Sequence, residues 1–151
     1  DADKLLKELS SGGAFRLEKK EPDTLLGILD GVRVSFFYYQ YPLLLALQEA
    51  ERIRLASMAD IACMKIDAIG SRGTKRDFID IYCLLQSGEF ELGKLLTLFQ
   101  KKYAKLDYNL MHIKKSLTYF EDAEDEPMPK MLIPLRWEEV KKYFQREILK
   151  L

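Results

Sequence analysis

The residues best suited to chemistry are charged side chains set among apolar ones between positions 60 and 80. Lys65 shares a helical face with Ile61 and Ile69, because residues three and four apart lie above one another on a helix. Asp77 and Asp80 lie beside apolar residues on the next predicted helix. A tight turn between the two helices can bring Lys65 into one cleft with Asp77 or Asp80, where the lysine would lower the pKa of the acid.

Each of these charged residues also has a purely structural explanation. Lys65 could extend its alkyl chain along the apolar face and keep its ammonium group in water. Asp77 stands three residues after Thr74 and could close a capping box at the start of a helix. Asp80 could pair with Arg76 on one helix face, an interaction worth only about 0.2–0.5 kcal/mol. The residues alone leave both interpretations open.

The elements that would position these residues follow from apolar periodicity and turn signals. The predicted strands cover 15–20, 24–29 and 32–39, with a further short one at 53–55. Asp30-Gly31 is a strong hairpin signal between the second and third strands. The third strand is apolar on both faces at its end, including the aromatic run 36–41, so we expect it to be central and to enter the core. The predicted helices cover 3–10, 57–69, 74–86, 92–105, 109–119 and 137–149, with Gly70 closing the second of them.

Strands therefore come first and helices after. This order predicts an α+β fold in which an antiparallel β-meander is followed by a C-terminal helical bundle. We expect two domains, a partial sheet region over 1–56 and a helical domain over 57–151.

Composition and charge limit the kind of protein this can be. The chain has 151 residues, enough for one domain of ~100–200 residues. Lys and Arg number 24, as do Asp and Glu, so a nucleic-acid-binding surface could only be local. The longest purely apolar stretch, 43–47, is much shorter than the roughly 18 residues of a membrane span. Cys63 and Cys83 have no metal or redox spacing and indicate buried thiols in a reducing compartment, so we expect a cytoplasmic protein with no membrane contact.

Two segments together carry a family resemblance. They are ADIACMKIDAI at 59–69 and RGTKRDFIDIY at 72–82, flanked by VRVSFF at 32–37, SLTYFEDAE at 116–124 and Trp137. This sequence resembles the AbiEii/AbiGii toxin family of nucleotidyltransferases, in an uncharacterised bacterial branch, over roughly residues 24–144. The chain begins with Asp rather than Met, so we expect a processed product or the C-terminal portion of a longer protein.

The resemblance implies a polymerase-β-like nucleotidyltransferase of a bacterial toxin–antitoxin or abortive-infection system. It implies GTP or CTP as the nucleotide, Mg²⁺ as the cofactor, a tRNA acceptor end as the target and a cognate antitoxin as a partner. By the same resemblance Lys65 matches the nucleotide-contacting lysine. Asp77 or Asp80 matches the acidic residue of the last family motif. These two acids are the candidate catalytic residues, which would orient a metal, a hydroxyl group or Lys65 itself. Cations that would compensate the phosphate charge are Arg72, Lys75 and Arg76.

One part of the family pattern is missing. The catalytic glycine turn followed by Asp-x-Asp does not occur in this sequence, since Gly12-Gly13 leads into FRLE without paired carboxylates. Two-metal phosphoryl transfer needs carboxylates that hold ions about 3.5–4 Å apart, so we assign no metal ligand and expect this chain alone to be inactive. The alternative is a non-catalytic module that keeps the fold for contact with an antitoxin or RNA.

Two charged regions outside the motif have both a structural and a functional explanation. A basic region could follow tRNA phosphates or be a solvated helix face, and only Asp107 opposes it. Its members are Lys94, Lys101, Lys102, Lys105, Lys114 and Lys115. The acidic segment 121–126 predicts a solvated loop that could also mimic phosphate or contact a basic partner.

Overall fold

The change of apolar period along the chain produces two different kinds of structure. The computed structural model describes residues 1–106 and 108–151, which are 47% helix and 17% strand. Asp107, the acid expected to oppose the basic region, lies outside the described residues. The α+β prediction is confirmed, because a three-stranded meander precedes the helices.

A first compact unit spans Asp1–Gln40 and contains the meander. Helix α1 (Ala2–Ser11) begins at Asp1, whose carboxylate accepts from the backbone N–H of Asp3 and Lys4. Strands β1 (Phe15–Glu21), β2 (Thr24–Leu29) and β3 (Val32–Phe37) follow, each antiparallel to the next. Asp30 and Gly31 have φ of 48° and 79°, the left-handed backbone that a two-residue hairpin turn needs.

The third strand is not central, so that prediction is wrong. The strand order is β1-β2-β3, and β2 is the buried middle strand. Two tight turns make a simple meander, and such a connection always places the middle strand in the centre. Phe37 and Tyr38 are 56% and 72% exposed, so the aromatic run does not enter the core as a whole.

A second compact unit spans Tyr41–Leu151. It opens with a short hairpin of β4 (Gln48–Ala50) and β5 (Ile53–Leu55), of which only β5 was predicted. This hairpin belongs to the second unit, whereas the predicted domain division lay after residue 56; that division stays a prediction. The remaining helices are α2 (Met58–Ser71), α3 (Lys75–Gln86), α4 (Leu92–Lys102), α5 (Leu110–Ser116), α6 (Glu121–Glu124) and α7 (Trp137–Ile148).

Helix α2 lies at the middle of the helical unit, where it packs against α3, α4 and α5. Gly70 lies within this helix, and a Cβ built on it would lie 2.8 Å from the Ile113 side chain of α5. Gly70 therefore permits close packing rather than closing the helix, which corrects the predicted end. Gly73, at φ 51°, provides the left-handed backbone just beyond the last turn.

Aromatic packing holds α3 to the C-terminal part of the chain. The fully buried Phe78 ring lies 5.1 Å from Phe120, 5.8 Å from Trp137 and 5.5 Å from Phe144, measured between ring centroids. The contacts with Trp137 and Phe144 are edge-on, and pairs of this kind contribute about 0.5–1.5 kcal/mol beyond the area that they bury. The N-terminal turn of α3 is thus fixed on the side that faces α6 and α7.

A fully buried ion pair holds the N-terminal end of α2. Lys102 Nζ lies 2.6 Å from Asp60 Oδ1, and neither side chain is exposed. Asp60 also accepts from the Ser57 hydroxyl and the Leu44 backbone N–H, and Lys102 donates to the Pro42 carbonyl. Lys102 was expected on a basic surface, and the structure corrects this because its ammonium group is needed to neutralise Asp60 inside the helical unit.

Candidate functional site

The candidate site is formed where α2 turns into α3. Arg72 is the C-cap of α2, and its backbone N–H donates to the Ala68 carbonyl. Thr74 is the N-cap of α3. Only Gly73 separates the two caps, so the last turn of α2 and the first turn of α3 lie side by side, as the tight turn predicted.

The ammonium group of Lys65 is held by two carboxylates of α3. Lys65 Nζ lies 3.0 Å from Asp77 Oδ1 and 2.7 Å from Asp80 Oδ2. The predicted proximity of these residues is confirmed. An ammonium group has three N–H donors, and these two contacts use two of them. Because the Lys65 side chain is 27% exposed, its third donor can reach a ligand from solvent.

Asp77 is the buried centre of the cluster, with a side chain only 1% exposed. Its Oδ2 accepts from the Thr74 hydroxyl at 2.6 Å and from Arg72 Nε at 3.3 Å, while Oδ1 accepts from Lys65. The backbone N–H of Asp77 also donates to Thr74 Oγ1 at 3.4 Å. Asp77 thus supports the start of α3 and holds two cations, so the structural and functional interpretations are compatible.

The electrostatics of the cluster favour the ionised forms of Asp77 and Lys65. Burial raises the pKa of Asp77, but hydrogen bonds from Thr74 and Lys65 and the charge of Arg72 outweigh it, so the pKa is lowered. Burial lowers the pKa of Lys65, but hydrogen bonds to Asp80 and Asp77 outweigh it, so that pKa is raised. A carboxylate with a lowered pKa is a weak base, which makes Asp77 better suited to holding cations than to accepting a proton.

Two arginines give the adjoining cleft a positive character. The cleft has a volume of about 490 Å³, within the ~300–1,000 Å³ typical of ligand pockets. Lys65, Arg72 and Arg76 line it. Arg76 is exposed and forms no ion pair with any residue in 1–106 or 108–151, so its predicted pairing with Asp80 does not form. Its five guanidinium donors remain available to an anion.

Lys75, grouped with these cations on sequence, does not line this cleft. Its side chain is buried, and Nζ donates to the backbone carbonyls of Glu124, at 3.1 Å, and Glu126. The same ammonium group lies 5.3 Å from the centre of the Trp137 ring. Lys75 therefore ties the acidic segment to α3 and is not in position to contact a ligand beside Lys65.

One lining residue, Glu126, was not predicted to belong to the site. The Glu126 carboxylate accepts the backbone N–H of Lys75 at 2.7 Å, and Pro127 and Pro129 complete this wall of the cleft. Glu126 lies 51 positions from its partner. The acidic run 121–126 was the only available sign, and it predicted a solvated loop rather than α6 followed by a wall of the site.

The donor set does not fit a catalytic metal pair. Within residues 1–106 and 108–151, no group of three or more His, Cys, Asp or Glu side chains is placed to hold a metal ion. Asp77 and Asp80 are both engaged with Lys65, which occupies the position that a cation would take between them. Asp77 and Asp80 are therefore not placed to hold Mg²⁺. No helix in the described part of the chain has the length and apolar character of a membrane span.

Fold and site together define a helical α+β protein with a lysine held by two carboxylates beside an arginine-lined cleft. Residues 30–150 match the family model of the AbiEii nucleotidyl transferase toxin of type IV toxin–antitoxin systems. The chain belongs to the AbiEii nucleotidyltransferase toxin family. It is 38% identical over 153 aligned positions to an uncharacterised protein of Aquifex aeolicus (strain VF5), an alignment that covers 98% of this chain and 71% of that protein. No solved structure matches this chain.

Proposed function

We propose that the cleft beside Lys65 binds the phosphates of a nucleoside triphosphate, GTP or CTP, for transfer to an RNA such as tRNA. The observation that carries this proposal is the convergence of Lys65, Arg72 and Arg76 on one cleft. Nucleotide transfer is the activity named for the family. A cognate antitoxin is the partner that membership of a toxin–antitoxin system suggests.

Lys65 supplies the central phosphate contact in this proposal. Its third N–H donor points to the ligand while the other two are fixed by Asp77 and Asp80. Because the ammonium group is already held in place, binding costs little of the side-chain entropy that a free lysine would lose.

Asp77 and Asp80 act as positioning residues in this scheme. They were predicted to be the catalytic acids, but both are committed to Lys65, and Asp77 also holds Arg72 and Thr74. We assign them the orientation of the cations rather than contact with the reacting atoms. Arg72 and Arg76 balance phosphate charge together with Lys65, which three cations on a helix pair can do without a large rearrangement.

The binding proposal is tested by isothermal titration calorimetry with inorganic tripolyphosphate and with GTP and CTP. Arg76→Gln removes a cation that supports no other described side chain, so the fold is retained. We expect about 5- to 30-fold weaker binding, equivalent to about 1–2 kcal/mol for one charge-assisted contact. Lys7→Gln, a substitution of an exposed lysine in the first unit, is the matched control and should bind like the unmodified chain. Equal affinity of the Arg76 variant and the control would refute the site.

We further propose that this chain alone binds nucleotide without transferring it, because it carries no glycine turn followed by Asp-x-Asp. The alternative, a module that binds RNA or antitoxin without chemistry, shares this expectation but needs no nucleotide. Incubation with radiolabelled GTP or CTP, Mg²⁺ and bulk tRNA separates the cases. Label in tRNA that disappears in Lys65→Ala would overturn the proposed inactivity, whereas nucleotide binding without label supports it over the alternative.

A further inference from the structure

An apolar groove continues from the cleft on the other side of Lys65. It has a volume of about 440 Å³ and lies between the N-terminal half of α2 and the C-terminal half of α3. Its apolar lining comes from both helices and comprises Met58, Ile61, Ile81, Cys83 and Leu84. Met58 is 51% exposed at the mouth, while Ile81 and Leu84 form a buried wall.

Lys65 belongs to both spaces. It lines the arginine-rich cleft together with Asp77, and it lines the groove together with Asp80. Ile61 lies one helical turn before Lys65, and Met58 one turn before that. The α2–α3 pair therefore presents a surface that is cationic at the turn and mainly apolar further along, with the lysine at the junction. Ser87 and Glu89 are further polar residues in the lining of the groove.

We propose that this groove holds the nucleoside part of the nucleotide whose phosphates contact Lys65, Arg72 and Arg76, which makes its apolar residues the determinants of nucleotide affinity. This inference rests on the proposed function. It adds a second subsite that tripolyphosphate cannot fill.

The pattern of charge favours this occupant over a helix of a partner protein. An apolar helix laid in the groove would cover the Lys65–Asp80 pair, in which the Asp80 side chain is 45% exposed. Such a helix would remove water from both charges and offer no anion to the Lys65 ammonium group. A nucleotide carries its own negative charge to Lys65 and presents a flat, largely apolar ring beyond it. The thioether of Met58 suits such a ring, because sulfur makes favourable contacts with aromatic systems.

Cys83 offers a direct probe of occupancy, since it is a free, half-buried thiol on the groove wall. The second cysteine, Cys63, is fully buried, and burial raises its pKa to about 12, so it acts as an unreactive internal standard. Burial and the charge of Asp80 also raise the pKa of Cys83, so iodoacetamide is used at about pH 9, slightly above the ordinary pKa of a thiol. Mass spectrometry of each cysteine-containing peptide follows the alkylation.

The comparison that decides is between nucleotide and tripolyphosphate, each at about ten times its measured Kd. We expect GTP or CTP to slow the alkylation of Cys83 about tenfold, because about a tenth of the sites stay free. Tripolyphosphate should leave the rate unchanged. Equal rates with both bound ligands would overturn the groove while leaving the phosphate cleft intact. Failure of both ligands to bind would overturn the proposed function and this inference with it.

A variant in which a larger side chain fills the groove provides a second, independent test. Cys83→Phe should reduce nucleotide affinity about tenfold and leave tripolyphosphate affinity unchanged, whereas the control Lys7→Gln should leave both affinities unchanged. Retained Trp137 fluorescence verifies the fold of the helical unit. Unchanged nucleotide affinity in the folded Phe variant would refute the inference.

Discussion

Asp77 and Asp80 hold the same ammonium group but should respond very differently to the same substitution. The Lys65–Asp80 contact is the shorter, at 2.7 Å against 3.0 Å, yet the Asp80 side chain is 45% exposed and that of Asp77 is 1% exposed. Contact distance alone would make Asp80 the more important partner. Burial and the number of donors make Asp77 the more important one.

The magnitudes follow from these environments. Asp77→Asn keeps one acceptor for Thr74 but removes the charge that holds Lys65 and Arg72, and buried hydrogen bonds to charged groups are worth about 1.5–3 kcal/mol each. Because Lys65 retains Asp80, we expect the free energy of unfolding to fall by about 2–3 kcal/mol. Asp80→Asn removes one solvent-screened pair and should cost less than about 1 kcal/mol.

Urea unfolding followed by fluorescence measures both variants. Trp137 is the only tryptophan, it is buried, and it lies in the helical unit. Tripolyphosphate affinity is a second measurement, for which the two possible effects of Asp77→Asn have opposite signs. Loss of a negative charge by itself would tighten phosphate binding, whereas loss of the group that orients Lys65 and Arg72 should weaken it about 3- to 10-fold in Asp77→Asn. Equal destabilisation by the two variants, or tighter binding in Asp77→Asn, would refute the assignment of Asp77 as a positioning residue.

Two further predictions concern the buried charges. Lys102→Met leaves the Asp60 carboxylate buried without its cation, so the free energy of unfolding should fall by about 3–5 kcal/mol. Urea titration at pH 7 measures this change. The control is Lys105→Met, a substitution of an exposed lysine, which should have nearly the stability of the unmodified chain. The pKa values of Asp60 and Asp77 are lowered in the folded chain, because hydrogen bonds from Lys102 and Ser57 and from Thr74 and Lys65 outweigh burial. Their contribution to stability is therefore present above about pH 4 and is lost as the pH falls through the folded-state pKa values. Urea unfolding at a series of pH values from about 2 to 7 measures this loss. A free energy of unfolding that stays constant down to about pH 2 would contradict the prediction.

The parts of the fold that sequence predicted well depend on local patterns. The Asp30-Gly31 turn and the change of period after Ser57 are properties of neighbouring residues, and the meander and helices follow from them. The proximity of Lys65 to Asp77 and Asp80 was equally local, since both helices and the turn between them lie within a short stretch of chain. The spacing of side chains on two adjacent helices was sufficient to predict that these charges lie close together.

Three of the corrections involve partners distant in sequence. Lys102 resembles its exposed neighbours until Asp60, 42 positions away, is placed against it. Lys75 looks like a site cation until the carbonyls of Glu124 and Glu126 take up its donors. Gly70 resembles a helix terminator because no local pattern shows that α5 will pack against it. Apolar periodicity reveals which face is buried, but not which particular group lies opposite each polar side chain.

Helix α2 carries Lys65 between two anchored ends, and this arrangement explains how charged groups can serve the site without loosening it. At the N-terminal end Asp60 is held by Lys102 and Ser57, and at the C-terminal end Arg72 is held by Asp77. Asp77 performs two tasks because a carboxylate has two oxygens, each able to accept more than one hydrogen bond. The oxygen that supports the start of α3 leaves the other free to fix Lys65, so the carboxylate that stabilises the helix also sets the position of the cation that we propose to bind the ligand. A site built in this way is positioned by helix geometry rather than by a loop, which is the condition for holding a charged ligand with little loss of side-chain entropy.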